Sequence, residues 1–115
     1  MSEYTILFYS ERVKAAIFEL PKGIFATFFR TVQRMKSEGP DLGMPETRAM
    51  RGGLFEIRAR GTEGWGRVFY CTLKDKKIVM LHGFSKKTNA TPPRERKIAE
   101  RRMQEVNNGT MHPIK

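Results

Sequence analysis

Positively charged side chains recur on and beside three apolar runs of the chain, and their chemistry suits the binding of phosphate groups. Arg58 and Arg60 lie in "LFEIRAR", Arg67 lies in "WGRVFYCTL", and Lys86 and Lys87 follow "IVMLHGFS". In a three-stranded antiparallel meander, the end of the first strand, the start of the second and the end of the third meet at one edge. The five cations are therefore predicted to converge there, and a phosphodiester would neutralise them.

Arg67 is the cation whose surroundings in the sequence are the most apolar. It shares a strand face with Phe69 and Cys71, in a run suited to burial. A half-buried guanidinium requires an anion. Glu56 or Glu63 would supply it as an ordinary ion pair, whereas a phosphate would match both arms of the guanidinium fork. The sequence leaves these alternatives open.

Several other side chains have plainer interpretations. An edge strand with a solvated, charged face would also explain Arg58 and Arg60. His82, inside an apolar run, is typical of a core histidine whose hydrogen bonds are satisfied, and Trp65 fits either a hydrophobic cap on a turn or a platform for a stacked base. Cys71 is interpreted as a small buried hydrophobe.

The sequence contains no Gly-rich phosphate loop, Walker motif or Ser/His/Asp spacing. One Cys and two His do not make a structural zinc site, so we expect neither a metal nor another cofactor.

The net charge is the strongest global feature of the sequence. The 115 residues include 22 Lys and Arg against 12 Asp and Glu, which gives +10 and a pI near 10.2. Such an excess of positive charge in a small domain favours a polyanionic partner. Nucleic acid is the favoured candidate, before an anionic membrane or an acidic protein. The alternative explanation is that the charge only keeps the protein soluble. The sequence shows no signal peptide and no membrane-spanning run, and a cytoplasmic location is expected.

The pattern along the chain predicts one small α+β domain in the order β-α-α-β-β-β-α. A strand over Tyr4 to Tyr9 precedes Ser10, an N-cap residue, and two amphipathic helices separated by "PKG" at 21 to 23. Three strand-like runs then form a meander. We therefore expect a helical hairpin packed on a mainly antiparallel sheet.

Two further segments carry cations. A loop over residues 39 to 53 contains Arg48 and Arg51, and a basic helix that starts near "TPPRERK", with Thr91 as its N-cap, contains Arg94 and Arg96. The domain is predicted to span residues 1–106, with a flexible tail over residues 107–115.

The segments "GGLFEIR", "GRVFY" and "LHGFSKKTNATPP" resemble the RelE/ParE toxin superfamily, and more narrowly its HigB-like, phage-associated branch. The resemblance covers roughly residues 4 to 106. It implies a RelE-like domain and a toxin of a type II toxin–antitoxin system, an endoribonuclease (mRNA interferase) that cuts mRNA on the translating ribosome. It also implies an antitoxin partner, HigA-like with a helix-turn-helix domain, in a toxin–antitoxin hetero-oligomer.

The resemblance also implies roles for individual residues. Arg58 matches the basic position on the first meander strand, Arg67 matches the strand arginine that contacts the scissile phosphate, and Lys86 and Lys87 match the basic pair after the last strand. These four are the expected catalytic residues. The expected RNA-binding residues are Arg48, Arg51, Arg60, Trp65, Arg94 and Arg96.

The chain departs from the family pattern near its C-terminus. Ribonuclease members often place a Tyr or His there, whereas the stretch here is "NATPPRER". The general base therefore stays open among a lysine, Glu56 and His82. Two other functions also stay open: a ParE-like poison of DNA gyrase, and a non-catalytic basic module that binds ribosomal RNA.

Overall fold

A computed structural model describes residues 3–115 of the chain, which contain five strands and three α-helices. The elements are β1 (Thr5–Phe8), α1 (Glu11–Phe18), α2 (Lys22–Glu38), β2 (Thr47–Ala49), a 3-10 turn (Arg51–Gly53), β3 (Phe55–Gly61), β4 (Gly64–Leu73), β5 (Lys77–Lys86) and α3 (Pro93–Asn107). The predicted fold class, an α+β domain with a helical hairpin on a mainly antiparallel sheet, is confirmed.

All five strands join one sheet in the order β1-β5-β4-β3-β2. The meander β3-β4-β5 is antiparallel, as is the pairing of β2 with β3. The remaining pair, β1 with β5, is parallel and aligns Thr5 with Lys77 and Phe8 with Met80. The ends of β3 and β5 and the start of β4 consequently meet at one edge, as the meander predicts.

Apolar residues on the two faces of the sheet build two separate cores, because successive side chains of a strand point to opposite faces. Helices α1 and α2 cover one face, where Ile17, Ile24 and Phe28 pack against Ile57 and Val68 among others. Helix α3 covers the other face through Ala99 and Val106, which pack against Phe69, Cys71 and Leu81. Arg58 and Arg67 belong to the face that α3 covers only in part.

The two helices of the hairpin begin and end near the predicted positions. The Ser10 side chain accepts a hydrogen bond from the backbone N–H of Val13, at 3.2 Å, which caps α1 as predicted. Helix α2 begins after Pro21, which has no side chain able to cap it, and ends before Gly39, whose φ of 105° a residue with a side chain would rarely adopt.

Helix α3 begins with Pro93 in its first turn, as predicted, but Thr91 is not its N-cap. The cap position is Pro92, and the Thr91 hydroxyl instead donates a hydrogen bond of 3.2 Å to Glu56 Oε2. Because Pro93 follows it, Pro92 is held in an extended conformation, and the helix begins one residue later than predicted. The prediction of Thr91 as an N-cap was therefore wrong.

Two parts of the chain differ from the sequence expectations. The predicted loop over residues 39–53 contains the short strand β2, which lengthens the sheet beyond β3. Within the predicted flexible tail, residues 107–115, Ile114 pairs with Phe8 through two backbone hydrogen bonds of 2.6 and 2.9 Å. This pairing covers the outer edge of β1, which would otherwise leave unpaired backbone groups.

Candidate phosphate-binding site

Arg58 and Arg67 stand directly opposite each other on the neighbouring strands β3 and β4. Their side chains share one face of the sheet because directly paired residues point to the same side. Arg67 is only 3% exposed, since it lies in the stretch Gly66–Cys71 of β4, in which every residue is buried. Two guanidinium groups on adjacent strands are therefore fixed by the sheet itself, as the sequence predicts.

A buried carboxylate, Glu56, lies at the centre of this arrangement. The distances from its oxygens to guanidinium nitrogens are 3.5 Å for Arg48, 3.6 Å for Arg67 and 3.9 Å for Arg58. Of the two candidate carboxylates for Arg67, Glu56 is the one that lies beside it. Glu63 lies elsewhere and accepts a hydrogen bond from the Gly23 backbone N–H, at 2.9 Å.

The ion pairs around Glu56 leave the cluster positive. One carboxylate faces three arginines, so two positive charges remain uncompensated within it. Burial lowers the pKa of Arg67, the charges of Arg58 and Arg48 lower it further, and Glu56 opposes them. Because guanidinium groups stay protonated in proteins, Arg67 remains a cation, and an incoming anion meets an attractive field.

Hydrogen bonding in the cluster is incomplete as well. The Nε atom of Arg67 and the Oε1 atom of Glu56 are buried and lack a hydrogen-bond partner within the part of the chain that the structure describes. Their ion-pair distances are too long for hydrogen bonds. Arg67 Nε therefore faces Glu56 as an ion pair without a tight hydrogen bond, and the Nη2 atom is the one that contacts acceptors outside the pair.

Asn89, in the segment between β5 and α3, supplies the acceptors that face these arginines. Arg67 Nη2 donates to the Asn89 backbone oxygen at 3.1 Å and also to Asn89 Oδ1. Arg58 Nη2 lies 3.5 Å from the same Oδ1. Two oxygens of one residue thus occupy the side of the arginines that faces out of the sheet, where two phosphate oxygens would also fit. Sequence reasoning missed Asn89, although it lies inside the motif "SKKTNATPP".

The Trp65 ring packs against the guanidinium groups of three arginines. Its ring centroid lies 5.0 Å from the guanidinium carbons of Arg60 and Arg67 and 5.8 Å from that of Arg58. It pairs directly with Arg60 on one side and with Lys86 on the other. Cations over an indole ring are stabilised by its quadrupole, so Trp65 helps to hold three mutually repelling groups together.

The remaining predicted cations divide into those near the cluster and those apart from it. Arg48 and Arg96 line a groove of about 320 Å³ between β2 and the start of α3, and Arg51 lines the adjoining hollow. Lys86 ends β5 beside Trp65, and Lys87 follows it; both are exposed. Arg94 is 85% exposed and pairs only with Glu95 among the described residues, so it contributes least to the cluster.

His82 has partners for both ring nitrogens. Its Nε2 lies 2.6 Å from Glu95 Oε1, and Arg102 Nη1 lies 3.4 Å from Nδ1. This agrees with the interpretation of His82 as a satisfied histidine, here joining β5 to α3. Cys71 is buried as predicted, and burial raises its pKa to about 11, so its thiol is a poor nucleophile.

Over residues 3–115, no group of three or more His, Cys, Asp or Glu side chains is arranged to hold a metal ion. No helix in the same range combines the length and the apolar character needed to cross a membrane.

Comparison with known sequences identifies one family. The family model described as "Phage derived protein Gp49-like (DUF891)" matches residues 15–104, well over half of the chain. The matched range includes half of α1, all of α2, the whole meander and most of α3. No curated protein matches the chain.

Proposed function

The chain belongs to the Gp49-like family, a RelE-like family of toxins from toxin–antitoxin systems, and on this basis we propose that it is a ribosome-dependent mRNA endoribonuclease that inhibits translation. Within the superfamily we place it in the HigB-like branch, acting in the cytoplasm and held inactive by a HigA-like antitoxin with a helix-turn-helix domain. The observation that carries the proposal is the buried Arg67, paired across the sheet with Arg58 in a cluster that keeps two uncompensated positive charges.

The reaction would be an internal transesterification of RNA. The ribose 2′-oxygen forms a bond to the adjacent phosphorus while the bond from phosphorus to the 5′-oxygen breaks, which yields a 2′,3′-cyclic phosphate and a free 5′-hydroxyl. The 2′-hydroxyl loses its proton to a base, and the leaving 5′-oxygen takes one up. The phosphorane transition state carries more negative charge than the starting diester, so fixed cations stabilise it preferentially.

In this proposal Arg58 and Arg67 bind the reacting phosphate in place of the Asn89 oxygens. Both guanidinium groups are held by Glu56 and by the Trp65 ring, so they need little reorganisation when charge develops. A nucleotide base would stack on the exposed part of Trp65. Arg60 and Lys86 flank that ring, and Arg48, Arg51 and Arg96 extend the cationic path toward the neighbouring phosphates.

The sequence offers three candidates for proton transfer: a lysine, Glu56 and His82. His82 is held between Glu95 and Arg102, and Glu56 is enclosed by arginines, so neither side chain is directed toward a nucleotide. A lysine is the remaining candidate from the sequence. Lys86 lies on the same sheet face as Arg67, two residues beyond Phe84, which pairs with Arg67. We therefore propose Lys86 for proton transfer and Lys87 for phosphate binding.

Mapping the 5′ ends of mRNA after brief induction of the chain tests the proposal. We expect new 5′-hydroxyl ends inside open reading frames within minutes, and none when Arg67→Ala is induced to the same level. Double-strand breaks in DNA without new mRNA ends would identify a gyrase poison instead. Arrested translation with intact mRNA and intact DNA would identify a non-catalytic module that binds ribosomal RNA.

A further inference from the structure

The segment between β5 and α3, residues 87–92, closes over the paired arginines of the sheet. Asn89 makes the contact. Its backbone oxygen lies 3.1 Å from Arg67 Nη2, and its side-chain oxygen accepts from the same atom and lies 3.5 Å from Arg58 Nη2. The Arg67 side chain is buried in this arrangement. A phosphate oxygen therefore reaches Arg67 Nη2 only when the Asn89 oxygens leave it.

The other two nitrogens of the Arg67 guanidinium group are engaged inside the sheet. The Nε atom faces Glu56 at 3.6 Å, and Nη1 donates to the backbone oxygen of Gly66 at 3.4 Å. Of the three nitrogens, Nη2 is the one whose partners belong to a segment without regular secondary structure. An incoming phosphate consequently competes with Asn89 and not with the strands.

The segment is attached to the protein through the cluster that it covers. Among the residues that the structure describes, no backbone hydrogen bond outside the helices and strands involves residues 88–91. Besides the contacts of Asn89, the Thr91 hydroxyl donates to Glu56 Oε2 at 3.2 Å. Few bonds break when the segment moves away, so it can open while β5 and α3 stay folded.

The charges of the cluster favour a phosphate over Asn89. The asparagine is neutral and leaves the two excess positive charges uncompensated, whereas hydrogen bonds from guanidinium groups to phosphate oxygens are charge-assisted and roughly twice as strong. Asn89 has the advantage of being part of the same chain. A single phosphate must displace it alone, but an RNA strand also gains contacts with Arg48 and Arg96 in the neighbouring groove.

We infer that Asn89 is an internal competitor for the phosphate: the free protein keeps the arginine pair closed, and RNA opens it by displacing residues 87–91. The inference rests on the proposed function for the identity of the ligand. A site that is open in only a fraction of the molecules binds with an affinity lowered by that fraction. The closed site thus selects a chain of several phosphates over free phosphate and nucleotides.

Two other roles for Asn89 predict the opposite effect of removing its side chain. If Asn89 contacted RNA directly, or if it only held the arginines in place, Asn89→Ala would weaken the binding of phosphate and RNA. Competition predicts that Asn89→Ala strengthens it. Asn89→Asp places a carboxylate on the same guanidinium groups and should close the site more firmly. The opposite signs of the two variants therefore distinguish competition from both alternatives.

Fluorescence of Trp65, the single tryptophan of the chain, reports binding because its ring lies 5.0 Å from the Arg67 guanidinium carbon. The purified full-length chain is titrated with inorganic phosphate and with a 2′-O-methyl RNA oligonucleotide, which lacks the attacking hydroxyl. We expect Asn89→Ala to bind both about fivefold more tightly and Asn89→Asp about fivefold more weakly. Thr88→Ala and Thr88→Asp are the matched controls at an exposed neighbour, and each should have a clearly smaller effect.

Modification by phenylglyoxal, an arginine-selective reagent, measures the opening without any ligand. In peptide maps of the wild type, Arg67 should react much more slowly than the exposed Arg94, and Asn89→Ala should accelerate its reaction severalfold. Unchanged or weaker phosphate binding by an Asn89→Ala protein that unfolds at the wild-type temperature would overturn the inference, as would equal Arg67 reactivity in both proteins. Cleavage of mRNA is measured separately, and a chain that shows the expected binding but cuts no mRNA would refute the nuclease and leave the closed site standing.

Discussion

Glu56 is the residue on which the arginine cluster depends. It is fully buried and touches Arg48, Arg58 and Arg67, which come from three different strands. The cost of burying this carboxylate is offset only because cations surround it and Thr91 donates a hydrogen bond to it. The sequence suggests Glu56 as one partner for Arg67, but it cannot indicate that Arg48 joins them, because β2 is not predictable from its pattern.

Arg67→Ala is expected to abolish growth arrest while ribosome binding persists. Loss of one preorganised electrostatic contact typically lowers a rate by a factor on the order of 10² to 10³. Arg67→Lys should rescue poorly, since an ammonium group cannot replace a planar fork. The measurement is single-turnover mRNA cleavage on programmed ribosomes at saturating toxin.

The Arg67 variants need a folding control, because Arg67→Ala removes one of the three ion-pair partners of the buried Glu56 and leaves Arg48 and Arg58. Thermal unfolding of Arg67→Ala, compared with that of the wild type, shows whether the variant still folds. Arg30→Ala is the matched control, an exposed helix arginine whose guanidinium donates to Thr27. Cleavage near the wild-type rate by a folded Arg67→Ala protein would contradict the proposed site.

At the scale of elements, the turn between β3 and β4 caps helix α2. Helix α2 begins without a side-chain cap of its own, and Glu63 Oε2 accepts a hydrogen bond of 2.9 Å from the Gly23 N–H. Gly61 permits the close approach, because a side chain there would lie 2.6 Å from the Ile24 backbone nitrogen. The hydrogen bond from Gly23 lowers the pKa of Glu63, and burial opposes this effect.

Glu63→Gln is therefore expected to lower the thermal stability of the chain near neutral pH. Because the folded pKa of Glu63 lies below its unfolded value of about 4.3, its stabilisation is present above that value and is lost as the pH falls through the folded pKa. Thermal melts between pH 7 and pH 3 should show the difference between wild type and variant narrowing at the acid end. Glu3→Gln, at an exposed position before β1, is the control, and a gap that stays constant with pH would contradict the capping role.

The strongly patterned elements were predictable from the sequence, and the short or non-local ones were not. Both hairpin helices and the meander follow from apolar periodicity, and the convergence of Arg58, Arg67 and Lys86 follows from the meander. Strand β2 has three residues in a Gly- and Pro-rich stretch, too few for a period to emerge. Asn89 contributes oxygens through contacts that depend on the path of a loop, for which no sequence period exists.

At the scale of the whole molecule, the net charge of +10 should make RNA binding strongly dependent on salt. If about four phosphates are neutralised, a plot of log K against log salt concentration for a short single-stranded RNA should have a slope near −3, because each contact contributes roughly −0.7. Fluorescence anisotropy at several salt concentrations gives this slope.

Substitutions of single cations show which surface of the protein is responsible for the salt dependence. Arg96→Ala, in the groove beside Arg48, should make the slope shallower by roughly 0.7, the contribution of one phosphate contact. Lys36→Ala, on α2 at the opposite side of the sheet, should leave it unchanged. A slope near zero for the wild type would mean that the charge serves solubility alone.

The parallel pairing of β1 with β5 has a consequence for how the chain folds. Thr5 aligns with Lys77, so β1 has no neighbouring strand until β5, the last strand in the sequence, has been synthesised. The meander needs only local turns and can form earlier, because contacts distant in sequence carry the larger loop-closure cost. During synthesis from the N-terminus, we therefore expect β3, β4 and β5 to bring the arginines together before β1 docks on β5. Until then the outer side of β5 is open along its entire length, and the nascent protein is a surface to which other strands can add.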